Sequence, residues 1–162
     1  ALTICEQVWG PVHTRTAAII SNLAYVLSLM EENNLSLTLL ERALKIFEQT
    51  TSTEHPQIVP TLQHIATIYE KQGNFAKARP LLEHNLAVCE RTLGPTHPDT
   101  ATSLNNLAVH LAHRHDFDQA FPLIERALAI REQVLGSLHP DTIRTQESLA
   151  NMRAVAQQRT SI

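Results

Sequence analysis

The chain has 162 residues, 43% of them apolar and only 4% aromatic, with a formal net charge of −3. That is the size of one ordinary domain with enough apolar side chains for a core. The mildly acidic balance lacks the basic footprint of a nucleic-acid binder, and no apolar run approaches the roughly 20 residues of a membrane span.

Glycine is scarce, at 4 residues, while Leu and Ala are abundant, which favours helices over sheets. A repeat governs the order of the chain. His13, His55, His97 and His139 stand 42 residues apart, and the segments between them are better or worse copies of one another. Cys5 and Cys89 are the only cysteines. They lie two repeats apart at the same phase, so a stacked array holds them beyond disulfide reach. Free thiols in a reducing cytoplasm are expected. No signal-peptide pattern follows Ala1.

Residues 1–8, ALTICEQV, match residues 127–134, ALAIREQV, at six of eight positions. The chain therefore opens inside the second helix of an earlier repeat, and is expected to be a fragment whose upstream part is missing. Repeat one covers 9–50. Its first helix carries an apolar stripe at Ala17, Ile20, Leu23, Ala24 and Leu27, with helical i, i+3, i+4, i+7 spacing. Glu31 to Asn34 breaks the stripe, with Asn34 placed to cap a second helix marked by Leu39, Leu40, Ala43, Leu44 and Phe47.

Repeat two covers 51–92. Pro56 stands where a helix begins. Leu62, Ile65, Ala66 and Tyr69 form one stripe, Gly73 and Asn74 the turn, and Phe75, Ala78, Leu82 and Leu86 the next stripe. Repeat three, 93–134, copies this with Leu104, Leu107, Ala108 and Leu111, then Phe117, Ala120, Ile124 and Leu128. Asp116 and Gln119 resemble a capping box. Pro80 and Pro122 share one phase inside their helices and predict a mild kink in each. Thr38 stands at that phase in repeat one.

The last segment, 135–162, predicts a single helix from about Pro140 to Gln157. Gln146 replaces Ile20, Leu62 and Leu104 of the earlier repeats, and Arg153 replaces Leu27, Tyr69 and Leu111. That polarity predicts a solvating cap, and with it a C-terminus that is natural or nearly so.

A two-helix repeat of 42 residues fits HEAT or armadillo arrays by length and tetratricopeptide repeats by pattern. The pattern decides: repeat two supplies Leu62, Ile65-Ala66, Tyr69, Gly73, Phe75 and Ala78. With SLNNLA (Ser103–Ala108), ERALAIRE (Glu125–Glu132) and LGPTHPDTA (Leu93–Ala101), the chain resembles the kinesin light chain-like type of tetratricopeptide repeat. The resemblance spans essentially the whole chain. It implies one all-α domain over 1–162, a right-handed α-solenoid of helical hairpins with about seven full helices and a truncated N-terminal one. Repeat one departs from the pattern at Glu31, Asn33 and Ser36, so its hairpin is expected to be the least regular. No heptad coiled coil and no nucleotide-binding module are present.

Such arrays leave a concave face lined by first helices, which in this family holds an extended peptide or a partner helix. The candidate groove residues are Asn22, Tyr25 and Leu29 in repeat one, and His64, Thr67 and Lys71 in repeat two. Repeat three offers Thr102, Asn106, Val109, His110 and His113; the last helix offers Arg144, Ser148 and Asn151. Asn22 and Asn106 match the family's groove asparagine, whose amide can both donate to and accept from a peptide backbone. His64 and Ser148 stand at the same phase and interrupt an asparagine ladder. Lys71 and Arg144 can attract acidic residues.

The periodic histidines are expected at helix entries as structural residues. Equivalent positions in stacked repeats lie roughly 10 Å apart, too far to close a zinc site with bonds of ~2 Å. His110, His113 and His115 lie closer together but lack a third ligand of fixed geometry, so no metal and no cofactor is expected. The sequence holds no glycine-rich phosphate loop, nucleophile motif or HExxH, so no enzyme is expected either. The function that follows is a cytoplasmic scaffold for a protein or peptide ligand, with no nucleic acid and no membrane. The alternatives are end-to-end self-association through the truncated first repeat near Leu2 and Ile4, or a regulatory or sensor arm of a larger signalling protein.

Overall fold

The computed structural model describes residues 2–50 and 57–160, with side chains through residue 158. His55 and Pro56 lie outside the described residues. Regular structure among the described residues is entirely helical: α1 (Leu2–Trp9), α2 (Thr14–Leu29), α3 (Asn33–Thr50), α4 (Ile58–Lys71), α5 (Phe75–Thr92), α6 (Pro98–His113), α7 (Phe117–Leu135) and α8 (Pro140–Thr160). The chain falls into two compact units, Ala1–Val88 and Cys89–Ile162.

The helix boundaries follow from the linker residues. Gly10, Gly94 and Gly136 have φ of +90°, +100° and +88°, a region that side chains disfavour and that stops the preceding helix. Three residues after each glycine comes a histidine at the helix entry. Its Nδ1 accepts a backbone N–H of the first turn: His13 from Arg15 at 3.1 Å, His97 from Asp99 at 3.1 Å and His139 from Asp141 at 3.2 Å. Each histidine thus satisfies one of the orphan donors of a helix N-terminus. The hydroxyls of Thr16 and Thr100 then donate to the carbonyls of Gly10 and Gly94 at 2.9 and 2.7 Å. The linker motif is a splice between helices, and the histidine in it is a cap.

Within each hairpin the turn also keeps one conformation. Glu31, Gly73 and His115, one per repeat, have φ of +65°, +72° and +63°. The hairpin expected to be the least regular therefore forms the same turn without a glycine. Ser36, in the place of Ala78 and Ala120, is buried and donates to the Ala24 carbonyl at 2.7 Å, so a small hydroxyl fits between the two helices with its donor satisfied. Two capping expectations are corrected. Helix α3 begins at Asn33, which places Asn34 inside it. The Asp116 carboxylate accepts no backbone N–H of the first turn of α7; it accepts from the Gln119 side chain, Nε2 to oxygen 2.6 Å.

In the first unit Ala17, Ile20, Ala43, Ile46 and Phe47 pack together with Leu2 of α1 against them. Ala24 and Leu40 pack with Ile65 and Ile68, and Ile58 and Leu62 with Val88. The Glu6 carboxylate pairs with Arg42 at 2.5 Å and ties α1 to α3. The second unit buries Leu104, Leu107, Ala108 and Leu111 of α6, Ala120, Ile124, Ala127 and Ile130 of α7, and Leu149 and Met152 of α8. Here Arg126 of α7 pairs with Glu90 at 2.5 Å, the same repeat positions as Arg42 and Glu6.

Leu23, expected in the buried stripe, is 39% exposed, while Ile65 and Leu107 at its phase are buried. The reason is the length of α1. Its eight residues reach the first half of α2, and the second half of α2 lies beyond them. Val26, whose counterparts Ile68, His110 and Met152 are buried, is exposed for the same reason.

Candidate functional site

The open faces of the first helices carry most of the expected groove residues, and each unit presents its own set. In the second unit Val109, Ala112 and His113 of α6 face Ser148, Asn151, Met152 and Val155 of α8. With His115 and Phe117 at the α6–α7 turn they line a cleft of about 370 Å³. That is within the size range of ligand sites. The wall is mainly apolar; Asn151 and His113, both exposed, supply polar groups. Ser148 donates to the Arg144 carbonyl at 2.9 Å, so its proton is spent within α8. The cleft thus joins four of the expected residues, Val109, His113, Ser148 and Asn151.

The other expected residues of this unit do not line it. Asn106 is half-buried at the phase of Ser148. Thr102 is held by structural hydrogen bonds. Its hydroxyl donates to the Pro98 carbonyl at 3.2 Å and accepts from Arg131 Nη2 at 2.9 Å. Arg144 pairs with Asp141 at 3.4 Å on its own helix. His110 is a correction. It is 0% exposed and belongs to the core. Its repeat counterparts Ile68 and Met152 are buried too, so the position is an interior one that this repeat fills with an imidazole. His110 and His113 therefore do not share an open face, and among the described residues no group of three or more His, Cys, Asp or Glu is placed to hold a metal.

In the first unit the Tyr25 and His64 rings stack, centroids 4.9 Å apart and 19° from parallel. Asn22 and Leu29 lie exposed on α2, Leu29 at 65%, and Lys71 is exposed at the end of α4. Thr67 is half-buried; its hydroxyl donates to the Gln63 carbonyl at 2.9 Å. Burial pushes the His64 imidazole below the usual histidine range, since desolvation penalises the charged form. A neutral ring against Tyr25 is the consequence.

Sequence reasoning missed Ala112, His115, Phe117, Met152 and Val155 as cleft residues. Val155 was within reach, because it stands at the phase of Leu29, Lys71 and His113. It also missed Arg131, which is 5% exposed. Its guanidinium donates to the Asp141 carbonyl at 3.0 Å, to Thr145 Oγ1 and to Thr102 Oγ1, and burial pulls its pKa down. Both cysteines are free thiols. Cys89 is buried beside Ser103, sulfur to oxygen 3.2 Å, and burial pushes its thiol up. Among the described residues no helix is long and apolar enough to cross a membrane.

The Tetratricopeptide repeat family is matched by one model over residues 57–111 and 99–161 and by a second over residues 16–57. No curated protein matches the chain in sequence. Among solved structures, BtubC (BKLC) from P. vanneervenii is 26% identical with a TM-score of 0.82, over 90% of this chain and 58% of that one. The kinesin light chain TPR-like repeats of Podosopora anserina are 27% identical with a TM-score of 0.78, over 86% of this chain and 66% of theirs. A point variant of those repeats is 26% identical with a TM-score of 0.82, over 99% of this chain and 76% of that one. The chain thus spans less than two thirds of the first two.

Proposed function

The chain belongs to the tetratricopeptide repeat family, in its kinesin light chain-like form, and from that premise we propose that it takes an extended peptide or partner segment on the open face of its first helices. The tetratricopeptide hairpin is a protein-interaction scaffold, and the family is generally non-catalytic. The observation that carries the finer reading is the cleft between α6 and α8. Its wall of Val109, Ala112, Phe117, Met152 and Val155 suits an apolar side chain. The Asn151 amide at the same cleft suits the backbone of a segment laid across it, since it offers a donor and an acceptor together. The Tyr25–His64 pair with Leu29 offers the first unit a contact of similar character. A cytoplasmic setting, in keeping with two free thiols, completes the proposal.

The test is selection of peptides from a displayed random library against the chain, followed by affinities for two variants. Val155→Glu and Asn151→Ala both change exposed residues and leave the core alone. Val155→Glu is expected to weaken the selected peptides at least about tenfold, equivalent to about 1.4 kcal/mol. Peptides that bind both variants as tightly as the parent would move the site off this face.

A second reading rests on α1, where Ile4 and Val8 are 63% and 64% exposed. This apolar face can associate with a second copy of the chain. Light scattering across a concentration series separates the two readings: association that Ile4→Glu abolishes favours the second, and a monomer at every concentration removes it.

A further inference from the structure

We propose, building on the use of the open face for a ligand segment, that Tyr25 is a built-in occupant of the first unit's groove, and that Val109 and Ser148 leave the matching groove of the second unit open to one bulky side chain of the ligand. The chain thus carries two copies of one subsite, one shut by its own side chain and one open. They can be compared position by position, because α2 and α4 stand two repeats before α6 and α8.

In the first unit the Tyr25 ring of α2 stacks on the His64 ring of α4, centroids 4.9 Å apart. The two rings bridge the space between these helices, and the His64 Nδ1 is closed off from solvent. In the second unit the same positions hold Val109 and Ser148. Both side chains are smaller, and both line the cleft of about 370 Å³. Surrounding structure collapses only partly into space that a smaller side chain leaves. Two exchanges of large for small, facing each other across one groove, account for the opening there.

Three more positions change in the same sense. Ser28, Asn33 and Lys71 of the first unit correspond to Ala112, Phe117 and Val155 of the second, and these three line the cleft. By register, polar side chains flank the filled groove and apolar ones the open groove. An apolar side chain that enters the open groove takes this wall, and itself, out of water. One buried position differs as well. Ile68, branched and stiff, corresponds to Met152, whose unbranched side chain adapts to what it meets.

The consequence is a fixed seating for the ligand. Leu29 and the exposed part of Tyr25 still offer the first unit a contact, but a shallow one. The second unit offers depth. The ligand's bulkiest apolar side chain therefore goes between α6 and α8, and its place sets the register of the rest.

The probe is p-cresol, the side chain of tyrosine as a free molecule. It is titrated into the intact chain while methyl groups are followed by proton–carbon NMR. In the parent chain the methyls of Val109, Met152 and Val155 are expected to shift together and saturate, and those of Leu29 and Ile68 to stay in place. Tyr25→Val with His64→Ser and Lys71→Val shrinks the occupant and removes the charge beside it. A second saturable set of shifts, at Leu29 and Ile68, is expected to appear. Val109→Tyr with Ser148→His does the reverse and weakens p-cresol in the second unit at least about tenfold, with far-UV ellipticity unchanged.

Four results overturn the proposal: no saturable shift at Val109 and Met152 in the parent, parent shifts as large at Leu29 and Ile68, an opened first unit that takes no p-cresol, or a filled second unit that binds it as tightly as before. Failure of the wider proposal looks different. Peptides indifferent to Val155→Glu and Asn151→Ala would place the ligand segment elsewhere, while p-cresol still told the two grooves apart.

Discussion

A histidine that recurs every 42 residues invites a chemical explanation, yet at His13, His97 and His139 its work is done by one lone pair. Nδ1 accepts a first-turn N–H at 3.1 to 3.2 Å in all three. Such a cap is normally supplied by Ser, Thr, Asn or Asp, and its removal costs about 0.5–2 kcal/mol. His97→Ala is therefore expected to lower the unfolding free energy by that amount in urea titrations, and His97→Asn to recover most of it. Equal losses in both variants would point to packing of the ring as its contribution. The placement of the histidine at a helix entry was legible in the sequence because Pro98 follows it. The hydrogen bond was not, because histidine is a rare cap and its two nitrogens are equivalent in a one-letter string. His110 was misread for a different reason. Its polarity suggested an open face, whereas its 42-residue register with Ile68 and Met152 marked the interior.

At the scale of the element, one buried polar position of the later first helices ties each of them to a preceding helix. Thr61, Ser103 and Thr145 share one register. Ser21 and Thr61 exchange a hydrogen bond at 2.9 Å, Cys89 sits 3.2 Å from Ser103, and Arg131 donates to Thr145. Arg131 is the most demanding of these, since its buried guanidinium joins α7 to the first turns of α6 and α8 through neutral oxygens only. Arg131→Ala leaves those acceptors without their donor and opens a cavity, so a loss of about 2–4 kcal/mol in the second unit is expected. Arg131→Met, which keeps the apolar stem and withdraws the charge, should cost less, because burying an ion offsets part of what its hydrogen bonds contribute. Urea unfolding of both variants checks the order, and a Met variant as unstable as the Ala variant would assign the whole effect to hydrogen bonding. The helices themselves were readable from apolar spacing, which is local. Leu23 was not, because its exposure depends on how far α1 reaches, a fact about a neighbour.

Across the whole molecule one register specifies the hairpins, and departures from it specify the surfaces. The stripe of Ile20, Leu62 and Leu104 is fully buried, and α8 carries Gln146 in its place; Arg153 likewise stands for Leu27, Tyr69 and Leu111. Both polar side chains turn back onto α7. Gln146 Nε2 donates to Glu132 at 3.1 Å, and Arg153 Nη2 to Glu125 at 3.1 Å. The ion pair is exposed on both sides, so it adds little to stability. Its effect is on what the face can do, because it keeps charge where the register would otherwise place an apolar stripe. The double variant Gln146→Leu, Arg153→Leu restores that stripe beside Phe121, a residue of the same face, and strands two glutamates at its edge. Exposed apolar patches of this kind drive association. The variant is expected to keep its helix content and to show concentration-dependent association in light scattering, reversed by Arg153→Glu in place of Arg153→Leu. Monomeric behaviour of the double variant at every concentration would mean that the polar side chains are not what keeps this face from associating.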